Sequence, residues 1–219
     1  RATPMLPMEF FEACPLQTVL AGRFALTLAV VKDIDPLLDF YARTQPANDH
    51  AIPYFAVLWD SALALAGHLA ERFPDLAGRR VVELGCGLGL PSLVAARCGA
   101  AALATDGHPD CEAFLRRNAA QNGVALDFRL LDWAALPADL PAFDLVLASD
   151  VIYHAASLPH LVAAAARLCA DGGAILLADP GRDRLQQAVH AFADAGFGGE
   201  LVPVGDLFVF ELRRGGGAA

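Results

Sequence analysis

Residues 80–91, RVVELGCGLGLP, constrain the fold more than any other part of this 219-residue chain. A short apolar run containing Glu83 leads into three glycines spaced two apart, Gly85, Gly87 and Gly89, and an alanine-rich helical pattern follows. This is the pattern of a strand, a tight turn and a helix N-terminus, which brings backbone amides close to a nucleotide-like ligand. The stretch therefore predicts an α/β fold with a ligand site at the end of a strand.

Strand and helix patterns alternate through the rest of the chain. After the glycines, helical periodicity runs to about residue 98 and is followed by the predicted strands 101–105, 126–130, 143–148 and 174–178 and helices 110–122, 158–169 and 184–195. Two further strands, 201–204 and 207–212, flank a turn at Gly205. This order predicts a Rossmann-like, doubly wound, seven-stranded sheet with helices on both faces and a C-terminal antiparallel hairpin.

Residues 1–50 form a predicted N-terminal extension ahead of this sheet. The pattern indicates an irregular start over 1–15, two strands at 17–20 and 24–31, a short helix at 33–43 and a polar loop over 44–53. A helical pattern then begins at Phe55. We expect three parts: an extension over 1–50 that could serve as a substrate platform, a ligand-binding domain over 51–214 and a flexible tail over 215–219.

The composition argues against several classes of partner. The net charge is −9, and the basic residues cluster only in pairs, so no nucleic-acid partner is expected and a basic acceptor such as a protein side chain fits better. No apolar run approaches the ~18 residues that span a bilayer, so no membrane partner is expected. The five cysteines form no C-x-x-C pair, which predicts a reducing, cytoplasmic location and no metal site.

The glycine turn excludes two common nucleotide sites. A simple turn would not need three alternating glycines, each of which costs conformational entropy. The dinucleotide fingerprint G-x-G-x-x-G would need a glycine where the chain has Leu90, and the lysine of a phosphate-binding loop is absent from the motif. A ligand that carries no phosphate is the better candidate.

Three acids lie where such a ligand would need them. Glu83 is on the first strand of the motif, Asp106 ends the second strand, and Asp132 follows the third with Trp133 beside it. Asp106 is placed to bind both hydroxyls of a ribose, and Asp132 is placed to meet an adenine edge with Trp133 as a stacking surface. Acids without a cationic clamp suit a phosphate-free adenosyl compound, so S-adenosyl-L-methionine is the expected cofactor.

These motifs resemble a known family. The general motifs are similar to those of seven-β-strand (class I) S-adenosylmethionine-dependent methyltransferases, and two narrower ones are similar to the METTL-type protein lysine methyltransferase branch. The general motifs are VELGCGLGL at 82–90, TD at 105–106, LDW at 131–133 and FDLVLASDVIY at 143–153; the narrower ones are VLWDSA at 57–62 and Asp150-x-x-Tyr153. The resemblance covers about residues 52–213 and does not extend to residues 1–50.

The resemblance implies methyl transfer to a protein lysine and assigns roles by position. Asp150 and Tyr153 would face the methyl group and the incoming nucleophile. The cofactor would be bound by Trp59 as a cap, Glu83, Gly85, Cys86, Gly87 and Gly89 at the methionine portion and ribose side, Asp106 and Gly107 at the ribose, Asp132 and Trp133 at the adenine, and Ser149.

Three functions remain open at this point. The first is a protein lysine N-methyltransferase, and the second is a small-molecule N- or O-methyltransferase, because acceptor choice resides in loops. The third is a cofactor-binding partner subunit without catalysis, against which the intact Asp150 and Tyr153 argue. Two histidines have alternative readings: His108 borders the ribose or lies in an exposed loop, and His154 accepts a proton or has no role. The sequence leaves the oligomeric state open.

Overall fold

A computed structural model describes residues 5–44 and 52–215 of the chain. The helices are α1 (Met8–Ala13), α2 (Asp35–Thr44), α3 (Asp60–Arg72), α4 (Leu90–Arg97), α5 (Cys111–Gln121), α6 (Leu158–Leu168) and α7 (Asp183–Asp194). The strands are β1 (Leu16–Ala21), β2 (Phe24–Ala29), β3 (Arg80–Leu84), β4 (Ala101–Asp106), β5 (Asp127–Leu130), β6 (Phe143–Ser149), β7 (Cys169–Asp179), β8 (Phe197–Val204) and β9 (Leu207–Arg214). None of the helices in the described ranges has the length and apolar character that crossing a bilayer requires.

Strands β3 to β9 form one seven-stranded sheet in the order β5-β4-β3-β6-β7-β9-β8. The strands from β3 to β7 pair in parallel, and β9 runs antiparallel to both β7 and β8. This confirms the predicted Rossmann-like sheet and its C-terminal hairpin. The strand order reverses at β3, and sheets of this type bind ligands beyond the carboxyl ends of the strands at such a point. We call the region beyond the carboxyl ends of β3, β4 and β6 the crevice.

Two hydrophobic cores lie on opposite faces of this sheet. Successive side chains of β3 alternate between them: Val81 packs into the core with α3, α4 and α5, whereas Val82 and Leu84 pack into the core with α6 and α7. Glu83 lies between Val82 and Leu84 and therefore points to the same face as Val81. The alternation of β3 thus directs a carboxyl group towards the N-terminus of α4.

The hairpin of β1 and β2 packs onto the helices of the first face. Its side chains Leu26 and Leu28 are fully buried in the same core as α3 to α5. Asparagine side chains of α5 and its C-cap close the edge of β2. Thr27 N donates to Asn122 Oδ1 at 2.9 Å, Asn122 Nδ2 donates to Thr27 O at 2.8 Å, and Ala29 N donates to Asn118 Oδ1 at 2.7 Å. Side-chain amides take the place of a third strand at this edge.

The chain departs from the sequence-based expectations in four places, one of which is β8: it was predicted over 201–204 and covers Phe197–Val204. The predicted irregular start is wrong, because α1 covers Met8–Ala13. The helix predicted from Phe55 begins at Asp60, after a 3₁₀ turn at Tyr54–Ala56, and the strand predicted from Ala174 begins at Cys169. Most of the predicted loop over 44–53 lies outside the described residues.

Tertiary contacts explain the unexpected helix α1. Its Phe11 is buried with its ring centroid 5.2 Å from that of Phe114 on α5. Arg117, also on α5, donates to the carbonyl oxygens of Phe11 and, at 2.9 Å, of Cys14. A six-residue helix is marginal on its own, so these contacts stabilise it, and they leave no periodic signal in the local sequence.

Candidate active site

The turn between β3 and α4 forms the floor of the crevice. Gly85, Gly87 and Gly89 have φ angles of +70°, +50° and +78°, a region that glycine adopts without steric cost. A Cβ atom on Gly85 would lie 2.7 Å from Val151 Cγ1, and one on Gly87 would lie 3.2 Å from the carbonyl oxygen of Phe55. The turn is therefore a cradle whose backbone conformation and close neighbours both require glycine.

Glu83 is fully buried beneath the N-terminus of α4. Its Oε2 accepts hydrogen bonds from Ser92 N at 2.9 Å and Ser92 Oγ at 2.5 Å, whereas its Oε1 is buried without a partner among the described residues. Burial raises the pKa of Glu83 to about 8, although the hydrogen bonds from Ser92 oppose this change. A buried carboxyl oxygen with no partner beside a glycine cradle is suited to a cationic or hydrogen-bond-donating ligand.

Asp106 ties the cradle to the loop that follows β4. Its Oδ2 accepts from Gly87 N at 3.0 Å, and its Oδ1 accepts from His108 N at 2.9 Å. Burial raises the pKa of the Asp106 carboxyl, and the backbone N–H groups of Gly87 and His108 oppose that rise. Since β3 and β4 pair in parallel, Glu83 and Asp106 reach the same crevice.

His108 is half-buried against aromatic residues from the N-terminal part of the chain. Its ring stacks on Phe55 with centroids 4.3 Å apart and meets the ring of Tyr41 edge-on at 5.0 Å. Burial lowers the pKa of His108 to about 4, so the imidazole is neutral near physiological pH. Asp110 N donates to His108 Nδ1 at 3.2 Å, and Tyr41 donates its hydroxyl proton to the Asp110 carboxylate. The exposed-loop reading of His108 is therefore wrong.

Trp133 walls the cradle from the other side. A Cβ atom on Gly85 would lie 3.4 Å from Trp133 Cζ2, and the indole Nε1 is buried without a partner among the residues described. The neighbouring Asp132 is exposed, and its Oδ1 accepts from Ala134 N at 2.9 Å. This carboxylate caps the 3₁₀ turn Trp133–Ala135 and so orients the indole.

The other predicted cofactor residues take different positions around the turn. The Cys86 side chain is buried in a small cluster with Ala104 and Leu115. Ser149 is buried as the last residue of β6, and Gly107 is exposed after β4. Because the Cys86 side chain lies in this cluster, only the backbone of Cys86 can face the crevice.

An aromatic rim, defined by Tyr54, Trp59 and Tyr153, lies at the edge of the crevice. The ring centroid of Tyr54 is 5.2 Å from that of Tyr153 and 6.0 Å from that of Trp59. Trp59 and Tyr153 are 38% and 39% exposed, and Trp59 Nε1 donates to the carbonyl oxygen of Tyr54 at 3.0 Å. Partial burial raises the pKa of Tyr153, and the negative charge of Asp106 adds to the rise.

Asp150, predicted to face the acceptor, pairs with an arginine that the sequence analysis missed. It follows β6 with a φ of +60°, and its Oδ1 accepts a hydrogen bond from Arg182 Nη2. Arg182 also binds Asp179, which is fully buried at the end of β7. The signal available in the sequence was an acid at a strand end, Asp179, with an arginine three residues later.

Comparisons with known proteins place this geometry among methyltransferases. A family model described as lysine methyltransferase matches residues 48–192. Histone-arginine methyltransferase METTL23 of Xenopus laevis is 36% identical over 106 residues, covering 46% of this chain and 45% of that protein. Protein N-lysine methyltransferase METTL21A of Danio rerio is 35% identical over 129 residues, covering 56% of this chain and 59% of that protein.

A small-molecule enzyme is also similar. The ubiquinone biosynthesis O-methyltransferase of Methylocella silvestris is 33% identical over 157 residues, covering 71% of this chain and 59% of that protein. The chain thus spans 45–59% of the length of these three curated relatives.

Solved structures share the fold at lower identity. The T. thermophilus 16S rRNA N2 G1207 methyltransferase RsmC, in complex with AdoMet and guanosine, has a TM-score of 0.67 and 17% identity and covers 91% of this chain and 50% of its own. The ribosomal protein L11 methylase of Lactobacillus delbrueckii subsp. bulgaricus has a TM-score of 0.61 and 20% identity, with 72% and 79% covered. At these identities the likeness shows the fold.

Proposed function

Because this chain belongs to the lysine methyltransferase family, we propose that it transfers a methyl group from S-adenosylmethionine to a lysine side chain of a protein. Two levels of evidence support the proposal. The family and the crevice support the cofactor and the type of reaction. The charge and the aromatic side chains at the rim support a cationic acceptor.

The residues of the crevice fit S-adenosylmethionine. The glycine cradle presents backbone without side chains, and Glu83 Oε1 beneath it is a buried oxygen that has no partner among the described residues. Glu83 and the cradle would hold the methionine portion, Asp106 would bind the ribose hydroxyls, and Trp133 with Asp132 would frame the adenine. When bound, the cofactor supplies a methyl group carried on a sulfonium.

The observation that carries the choice of acceptor is the charge beside the rim. Two carboxylates, those of Asp150 and Asp179, share one guanidinium, that of Arg182. Among these three side chains one negative charge is in excess, the guanidinium of Arg184 lies on the carbonyl oxygen of Tyr153, and the Asp150 side chain is 15% exposed. A lysine ammonium would be attracted to this charge, and the exposed rings of Trp59 and Tyr153 add favourable cation–π surface.

The protein's own contribution to the reaction is to align and shield the amine. A lysine ammonium has a reference pKa of about 10.4 and must lose a proton to solvent water before it can act as a nucleophile. Asp150 would orient the amine, and the hydroxyl oxygen of Tyr153 would accept a hydrogen bond from an amine N–H, or the Tyr153 ring would close the pocket. Alignment at near-attack distance and exclusion of water lower the barrier for in-line transfer.

We also propose that the N-terminal extension contributes to a substrate platform. Leu16 and Leu20 on β1 are 47% and 73% exposed, and the outer edge of β1 pairs with no strand among the described residues. An extended segment of a protein substrate could add to such an edge.

A small-molecule O-methyltransferase is the second candidate. It is favoured by the similarity to the Methylocella silvestris enzyme, which extends over 71% of this chain. A neutral phenol acceptor would gain less from the partly exposed Asp150 carboxylate than a lysine ammonium would, which is why lysine is preferred here.

Incubation with tritiated S-adenosylmethionine and a cell lysate tests the proposal. Label in a protein band that survives acid precipitation, with methyllysine after hydrolysis, is the expected result. Label in the small-molecule fraction would favour the second candidate, and no label in either fraction would contradict both. Thermal stabilisation by S-adenosylhomocysteine, but not by NAD or ATP, is the expected companion result, and a shift with NAD alone would refute the cofactor.

A further inference from the structure

We propose that Arg182 is a positioning residue that holds the carboxylate of Asp150 in place for the acceptor amine. The inference rests on the methyl transfer proposed above and adds a residue to that site. The loop Pro180–Arg182, which joins β7 to α7, carries this residue.

The base of Arg182 is anchored on a buried carboxylate. Asp179 is fully buried and accepts hydrogen bonds from Gly181 N and Arg182 N, each at 2.9 Å. Its Oδ2 also accepts from Arg182 Nε at 3.0 Å and Arg182 Nη2 at 2.6 Å. Backbone and side chain of Arg182 are therefore both held by one charged group, which limits the directions that the guanidinium can take.

The same guanidinium reaches across to the neighbouring strand end. Arg182 Nη2 donates to Asp150 Oδ1 as well as to Asp179. Strands β6 and β7 pair in parallel with Ser149 opposite Ala178, so Asp150 and Asp179 follow their strands in the same register. Asp150 N donates to the carbonyl oxygen of Ala178 at 3.0 Å, which ties the backbone of the two strand ends together.

This arrangement leaves one oxygen of Asp150 for a ligand. Oδ1 is bound by Arg182, whereas Oδ2 has no hydrogen-bond partner within residues 5–44 and 52–215. The backbone of Asp150 is in the left-handed region at φ +60°, and the next residue, Val151, would contact a Cβ on Gly85 at 2.7 Å. The Asp150 carboxylate is thus fixed on the residue that precedes Val151, whose side chain packs against the cradle at Gly85.

Fixing the carboxylate matters because transfer depends on alignment. An in-line displacement loses about 100-fold in rate when the nucleophile is misplaced by about 1 Å. Without the guanidinium, Asp150 could rotate about its side-chain bonds, and the amine that it orients would lose its alignment. Binding of the cofactor would be unaffected, because Arg182 contacts neither the cradle nor Asp106 among the contacts of the described residues.

The test compares Arg182→Gln and Arg182→Lys with the wild type. For Arg182→Gln we expect the rate of tritium transfer to lysate protein to fall about 100-fold, with the dissociation constant of S-adenosylhomocysteine unchanged within about twofold. Arg182→Lys should restore part of the rate, because it keeps the charge but not the fork. Arg116→Gln is the matched control: it removes a guanidinium that binds Glu112 at 2.5 Å on the exposed surface of α5, and its rate should equal that of the wild type.

A second variant guards against simple unfolding. Arg182→Gln leaves the buried carboxylate of Asp179 without its counter-ion, so the double variant Asp179→Asn with Arg182→Gln removes both charges together. It should fold, bind S-adenosylhomocysteine normally and show the same loss of rate. A rate within about threefold of the wild type in this double variant would overturn the proposal.

Crystal structures with S-adenosylhomocysteine provide a readout that needs no acceptor. In the double variant the Asp150 side chain should leave the position that it occupies in the wild type. An unchanged Asp150 would overturn the positioning role whatever the rates are. If the wild type labels nothing, the proposed function fails, and the crystal structures still decide whether Arg182 holds Asp150.

Discussion

Tyr41→Phe tests how much one buried hydrogen bond contributes to holding the N-terminal extension beside the crevice. Tyr41 on α2 is fully buried, and its hydroxyl donates to Asp110, which is itself fully buried beside α5. The remaining partner of this carboxylate in the N-terminal part is Leu6 N, at 3.3 and 3.2 Å from its two oxygens. The substitution removes one oxygen atom and keeps the ring that packs against His108.

The expected magnitude follows from the charge of the acceptor. A hydrogen bond to a charged group contributes about 1.5–3 kcal/mol, so we expect the free energy of unfolding to fall by about 2 kcal/mol. For a chain of this length, that loss corresponds to a decrease in Tm of roughly 4–8 °C. Tyr54→Phe is the matched control, because the Tyr54 hydroxyl makes no hydrogen bond among the described residues; it should cost less than about 0.5 kcal/mol.

The pH dependence supplies a second check on the same contact. Burial raises the pKa of the Asp110 carboxyl, whereas the hydrogen bond from Tyr41 lowers it, because that bond favours the ionised form. The stability that this hydrogen bond adds is therefore present above the folded-state pKa of Asp110 and is lost as the pH falls through that pKa. The Tm difference between Tyr41→Phe and the wild type should therefore shrink under acidic conditions. A Tyr41→Phe protein with the same Tm as Tyr54→Phe at neutral pH would refute the reasoning.

Three further substitutions probe the crevice. Gly85→Ala should weaken S-adenosylhomocysteine binding at least about 10-fold in calorimetry, because backbone strain and a contact at 2.7 Å combine. The control Gly123→Ala, at φ +62° in open space, should have only the backbone strain, which costs about 1–2 kcal/mol of stability. Equal affinities of the two variants would contradict this expectation. Burial raises the pKa of Glu83 from its usual 4.5 to about 8, so the protein without cofactor should lose stability as the pH rises between these values. Glu83→Gln should flatten this loss when Tm is measured against pH. Parallel Tm curves for the variant and the wild type would count against the expectation. Asp150→Ala should lower the rate of methyl transfer about 100-fold with normal cofactor affinity. The control Asp171→Ala, on the exposed surface, should keep the wild-type rate. Full turnover in Asp150→Ala would remove the role of Asp150 in orienting the amine.

The sequence by itself was sufficient for the sheet and for the positions of the cradle and its acids. Strands and helices of 4–13 residues carry their own apolar period, and parallel strands bring their carboxyl ends to one side of the sheet. Residues that follow neighbouring strands, such as Glu83 near the end of β3 and Asp106 at the end of β4, were therefore expected to meet. The local pattern was enough because strand order alone brings them together.

Only the tertiary structure decided which side chains meet across the crevice. Arg182 binds Asp150 over 32 residues of chain, and the ring of Tyr153 meets that of Tyr54 from a distant segment. The stack of His108 on Phe55 joins two loops in the same way. Such contacts depend on the directions of individual side chains at the ends of strands and loops, and these directions leave no period in the sequence. The positions of the glycine turn and of the acids at the strand ends could thus be predicted from the chain, whereas the contacts of Asp150 and Tyr153 had to be observed.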